Sequence, residues 1–137
     1  MNGAQALINT LVDGGVDVCF ANPGTSEMHF VAALDAVPRM RGMLTLFEGV
    51  ATGAADGYAR IAGRPAAVLL ASGPRTGQRP GQPAQTRAVP GCRWWWLSET
   101  TRLTHKKYDA PLESDIDAVA GTVSGWCAGR RLPPTSG

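Results

Sequence analysis

The chain has 137 residues, enough for one domain with a real core, and a formal net charge of only +2. It holds no run of about 18 apolar residues, so no membrane span is expected, and its N-terminus lacks the basic segment and apolar stretch of a secretory signal. Three cysteines (Cys19, Cys92 and Cys127) share no metal-ligand spacing, and an odd, scattered set fits a reducing cytoplasm better than a disulfide framework.

The elements follow in chain order. Leu7, Ile8, Leu11 and Val12 recur at helical spacing and predict a helix over 4–13, stopped by Gly14-Gly15. A short strand is expected at 16–20. Asn22-Pro23-Gly24 is a turn, after which Thr25 or Ser26 can cap a helix over 26–36 that ends before Pro38. A second strand is expected at 43–47, a third helix over 49–62 closed by Gly63, and a third strand at 66–70. Strands alternating with helices at this spacing imply a parallel sheet and an α/β fold. Residues 1–71 form the expected core of the domain.

Beyond Leu70 the pattern stops. Residues 72–104 are rich in Gly and Pro and show no apolar periodicity, so an irregular segment is expected there. Order is expected to return over 105–126, where Ile116, Val119 and Val123 suggest a weak helix, and 127–137 reads as a disordered tail. Charge follows the same division. Residues 1–70 carry four arginines against six acids, whereas residues 71–107 carry seven Lys or Arg against Glu99 alone.

One segment carries chemistry. In 44–60, LTLFEGVATGAADGYAR, Glu48 sits where a strand hands over to a helix. Ligands of open parallel sheets collect at the carboxyl ends of strands, and a helix N-terminus favours an anion. The helix behind Glu48 is built of small residues, including Ala51, Gly53, Ala54, Ala55 and Gly57, which let a backbone or flat ligand approach. On these residues alone, Glu48 also reads as an ordinary first-turn acid. His29 reads as a surface or packing residue and Cys19 as a buried small hydrophobe.

Glu48, Ala51, Ala54, Ala55, Gly57, Tyr58, Ala59 and Arg60 resemble the pyrimidine-domain signature of thiamine-diphosphate enzymes of the acetolactate synthase and benzoylformate decarboxylase kind. Phe20-Ala21-Asn22-Pro23-Gly24-Thr25-Ser26-Glu27 is similar to the strand-turn-helix that borders the active-site cleft in benzoylformate decarboxylase-like members. The resemblance implies a three-layer sandwich around a parallel sheet, incomplete in this chain. It implies that Glu48 hydrogen-bonds the cofactor's aminopyrimidine ring, favouring the imino tautomer whose nitrogen takes the thiazolium proton. Leu46, Phe47 and Val50 are the expected walls of an apolar pocket around that carboxylate. Asn22, Pro23, Gly24, Thr25 and Ser26 are the further expected cofactor-binding residues.

The resemblance also implies thiamine diphosphate as cofactor and a homodimeric or homotetrameric cytoplasmic lyase or transferase, with its active site between two subunits. In such enzymes a separate C-terminal domain holds the diphosphate and its Mg2+, and these 137 residues contain no G-D-G…N metal motif. Pyruvate, glyoxylate, oxalyl and aryl 2-oxoacid enzymes share the pyrimidine domain, and the chain by itself is expected to be inactive.

Residues 75–104 depart from the family. Back-translated and shifted by one base, Arg75 to Ala84 can read GLGNGLANLH, like the family's turn and helix. Shifted by two bases, Arg93 to Leu103 can read LVVVVGDHATH, a buried strand and polar loop. Lys106 to Leu112 again resembles the family in its own frame. Residues 75–104 and 127–137 are therefore expected to be read out of frame. The alternative for this block is a nucleic-acid or protein interaction module. It would be carried by Arg75, Arg79, Arg87, Arg93, Trp94, Trp95, Trp96, Arg102, Lys106 and Lys107, because basic residues among tryptophans can stack bases.

Overall fold

The computed structural model describes residues 1–25, 27–70, 94–98 and 121. Its elements are α1 (Gly3–Asp13), β1 (Val18–Asn22), α2 (Met28–Ala36), β2 (Arg41–Leu44), α3 (Glu48–Ala62), β3 (Ala66–Leu70) and β4 (Trp94–Ser98). The four strands form one sheet in the order β2-β1-β3-β4, and every neighbouring pair is parallel. Asn22 stands beside Leu70, and Ala21 stands between Leu44 and Leu69.

Alternation along the strands sends side chains to two cores. Cys19 and Ala21 of β1 and Ala67 and Leu69 of β3 join Ile8 and Leu11 of α1 and Phe30 and Ala33 of α2. On the opposite face, Val18, Ala66, Val68 and Leu70 pack with Ala51 and Ala55 of α3, flanked by Phe20 and Tyr58. The result is the expected three-layer α/β sandwich. The alanines of α3 let its backbone lie close to a sheet face built of valine, leucine and alanine.

The ends of the elements have local causes. Asn2 and Gln5 close a reciprocal capping box at the start of α1, with bonds of 2.9 and 3.0 Å. At its other end Gly15 takes φ +89°, and the Val16 N–H closes on the Leu11 carbonyl at 2.9 Å. That bond commits the Val16 amide to α1, and β1 runs over Val18–Asn22 rather than the predicted 16–20. Strand β2 likewise lies two residues earlier than expected at its start and ends at Leu44, where the chain turns into α3. Gly63, at φ +65°, ends α3 with the left-handed residue that a glycine supplies without strain.

The tryptophan run corrects an expectation. Trp94–Ser98 is not irregular but pairs in parallel with the whole of β3, Ala66 beside Trp94 and Ala67 beside Trp95. An edge strand packs against one neighbour only, and beside Trp95 that neighbour is an alanine. Trp95 therefore stays 44% exposed while Leu97 packs against the α1–α2 core. The edge of β3 that faces away from β1 is accordingly covered by β4. The rest of the expected irregular segment (72–93 and 99–104) and the tail 127–137 lie outside the described residues, as does the expected weak helix except for the helical Gly121.

Candidate functional site at the carboxyl edge of the sheet

Strands β1 and β2 run in parallel and end together at Asn22 and Leu44. The two chains leaving them are tied at once. Thr45 donates its backbone N–H to the Ala21 carbonyl at 2.8 Å and its hydroxyl to the same oxygen at 3.1 Å. This junction lies one residue before Asn22 and three before Glu48. It ties the connection that leads into Glu48 to the strand end that leads into the Asn22–Thr25 turn.

Glu48 is the first residue of α3 and is only 3% exposed. Phe47, at the N-cap, is extended at φ −145° and ψ 135° and makes no side-chain cap. The acid therefore sits in the turn of the helix where backbone N–H groups point outward and the dipole favours negative charge. Behind it the hydroxyl of Thr52 donates to the carbonyls of Glu48 and Gly49 at 3.3 and 3.1 Å, fastening the first turn from within.

The expected walls of the pocket are not where the sequence suggested. Leu46, Phe47 and Val50 are 91%, 63% and 56% exposed and form an apolar rim outside the buried carboxylate. Helix geometry explains Val50, which lies about 200° around the axis from Glu48. Leu46 and Phe47 belong to the connection that turns outward after Thr45. Met43 and Leu44 of the edge strand extend the same exposed surface.

The turn residues divide. Asn22, Pro23 and Gly24 are half-buried, Thr25 is exposed, and Ser26 lies outside the described residues. The N-cap position of α2 is Glu27, not Thr25 or Ser26. Sequence reading passed over Glu27, which is 1% exposed and accepts the Gly24 N–H on Oε2 at 2.7 Å. A signal was present in the spacing, since an acid three residues after a turn N–H is within reach of it, although the bond lies ahead of α2 rather than in a capping box.

The other signature residues serve a different purpose. Tyr58 lies ten residues along α3 from Glu48, about 15 Å at helical rise. Its hydroxyl donates to Asp17 Oδ1 at 2.8 Å, and Arg64 meets Asp17 Oδ2 at 2.7 Å and donates to the Tyr58 oxygen at 3.2 Å. The bond to Asp17 holds the Tyr58 hydroxyl above its ordinary pKa, helped by desolvation. Arg60 pairs along the helix with Asp56 at 2.8 Å. Tyr58 thus anchors the far end of α3 to Asp17, and the Arg60 pair lies within the helix, both away from its Glu48 end. His29 is exposed, as expected. Cys19 is a free, fully buried thiol, and burial pushes its pKa up to about 12 against a bond with Leu69. Among the described residues no group of three or more His, Cys, Asp or Glu could hold a metal ion, and no helix is long and apolar enough to cross a membrane.

A parallel sheet covered on both faces, with a buried acid where a strand passes into a helix at its carboxyl edge, defines an α/β domain of the kind whose ligands collect at that edge. The model of the family described as thiamine pyrophosphate enzyme, N-terminal TPP binding domain, matches residues 1–78, and the chain belongs to that family. It is 76% identical over 126 residues to a putative acetolactate synthase large subunit, IlvX, of Mycobacterium tuberculosis, covering 92% of this chain and 24% of that protein. With an acetolactate synthase of Mycobacterium bovis it shares 38% identity over 74 residues, 54% of this chain and 12% of the relative. Among solved structures, a thiamine diphosphate-dependent 4-hydroxybenzoylformate decarboxylase of Rhodococcus jostii RHA1 superposes with a TM-score of 0.76 at 20% identity. That match covers 91% of this chain and 24% of the decarboxylase, and it bears on the fold. The chain therefore spans about a quarter or less of the length of these relatives.

Proposed function

We propose that this chain supplies the pyrimidine-binding part of a thiamine-diphosphate site in an acetolactate synthase-like 2-oxoacid carboligase or decarboxylase. The observation that carries this reading is Glu48, a carboxylate 3% exposed at the carboxyl edge of the sheet and at the head of a helix. Such a group fits an aminopyrimidine, whose ring nitrogen needs a partner that can hold a proton in a place poor in water. Bound there, thiamine diphosphate supplies a nucleophilic carbon that adds to the carbonyl of a 2-oxoacid.

The residues of the chain divide the work. Glu48 holds the hydrogen bond to the ring nitrogen and stabilises the tautomer that can act as a base. Thr52 and Phe47 keep the first turn of α3 in register behind it, and the Asn22–Ser26 turn borders the ring. The apolar rim of Leu44, Leu46, Phe47 and Val50 is the surface on which the rest of the enzyme closes. In that reading a separate domain holds the diphosphate and Mg2+, the site lies between two subunits of a homodimer or homotetramer, and closure removes water from Glu48. A cytoplasmic location suits the unpaired, buried Cys19. Pairing of Trp94–Trp96 with β3 gives the tryptophan run a place in the sheet, which supports this reading over a nucleic-acid surface.

The test is Glu48→Gln in a full-length relative carrying the same segment. The fold should persist while exchange of the thiazolium proton slows by about a hundredfold or more, the range of positioned acid–base catalysis. An unchanged exchange rate would remove the assigned role.

A further inference from the structure

Two carboxylates are buried at this edge, and the proposed function uses only one. Glu27 is as deeply enclosed as Glu48, yet it belongs to the other motif, five residues after the end of β1. Its Oε2 accepts the Gly24 N–H at 2.7 Å, a short bond. An acid that accepts a turn N–H ordinarily stands at the surface, where water can do the same work. Enclosing this one makes the bond stronger and makes its loss more costly.

The consequence falls on the peptide between Pro23 and Gly24. No cis peptide bond occurs among the described residues, so the Pro23 carbonyl points opposite to the Gly24 N–H. With that N–H held by a buried carboxylate, the Pro23 oxygen is directed to the side away from Glu27. Glu27 thus fixes one face of the turn from inside, while Thr45, bonded twice to Ala21, fixes its root.

We propose that Glu27 is a positioning residue of this site. Its carboxylate clamps the Pro23–Gly24 peptide and holds the turn bordering Glu48 in one conformation, with the Pro23 carbonyl kept on the side away from Glu27. The ligand-positioning part of this role rests on the pyrimidine reading of the edge; the clamp itself does not.

The experiment is amide hydrogen exchange by NMR on the 15N-labelled chain, comparing wild type with Glu27→Gln, Glu27→Asp and Glu27→Leu. Gln retains an acceptor at the same reach, Asp withdraws the acceptor by one methylene, and Leu removes it. Gly24 should exchange slowly in wild type and Glu27→Gln. In Glu27→Asp and Glu27→Leu it should speed up about tenfold or more relative to Val68, a core amide that reports global opening. Should Glu27→Leu fail to fold, the contrast between Asp and Gln decides. Gly24 rates that track Val68 in every variant would overturn the clamp. Titration with thiamine to millimolar concentration then tests the site separately. Shifts at the Glu48 and Gly49 amides that weaken in Glu27→Asp support positioning. Absence of shifts in wild type would overturn the ligand site at this edge, and with it the ligand-positioning role, whatever Gly24 does.

Discussion

Thr45 places two hydrogen bonds on one atom, the carbonyl oxygen of Ala21, from its amide at 2.8 Å and its hydroxyl at 3.1 Å. This pair joins the two motifs that lie more than twenty residues apart in the chain. Replacing Thr45 with Val keeps the shape and the amide bond and deletes the hydroxyl bond. The expected cost is about 1 kcal/mol of stability, because Ala21 retains one donor and no buried group is orphaned. Urea unfolding of the two proteins measures it, and equal midpoints would show that the hydroxyl contributes nothing.

Cys19 gives the protein a pH dependence at the alkaline end. Its pKa is about 12 in the fold against an ordinary 9.0. Between these values the unfolded chain loses the thiol proton and the folded chain keeps it, so stability falls as pH rises above about 9. The limiting slope from this group is about 1.4 kcal/mol per pH unit. Unfolding measured at pH 8 and pH 10 should show the loss in wild type and a smaller one in Cys19→Ala. At pH 8 the native thiol should also react slowly with a disulfide reagent. Rapid native-state labelling of Cys19 itself, separated from Cys92 and Cys127 by peptide mapping, would mean that Cys19 is not enclosed.

For these 137 residues alone, calorimetric titration with thiamine diphosphate and Mg2+ should show no micromolar binding, only the millimolar contact that the pyrimidine end provides, and pyruvate should not be turned over. Most binding energy for a diphosphate comes from metal and helix-terminus contacts, which this reading assigns to another domain. Micromolar affinity or measurable turnover would sink the division of labour proposed for the chain.

The unusual block after Leu70 calls for a test at the level of DNA. We propose that residues 75–104 and 127–137 are translated out of frame. Codons 75–84 should then read GLGNGLANLH in a neighbouring frame, and codons 93–103 should read LVVVVGDHATH. Strand β4 stands where that second reading would place a valine strand, which supports the idea. Neighbouring-frame sequences unrelated to these would end it.

Much of the fold was legible because it is written in local patterns. Helices at 3–13 and 48–62 follow from apolar spacing and glycine stops, and a parallel sheet follows from strands that alternate with helices. Glu48 was legible for the same reason, standing at a strand-to-helix passage whose polarity is known from order alone. What the sequence could not reveal are the quantities decided by neighbours distant in the chain. Periodicity could not say that Val16 would spend its amide on α1, or that tryptophans could take an edge strand beside Ala66 and Ala67. Local composition made Leu46, Phe47 and Val50 look like walls, whereas the tertiary structure turns them outward and encloses Glu27. Burial depends on which surfaces meet, and only the packing of two helical layers on this sheet decides that.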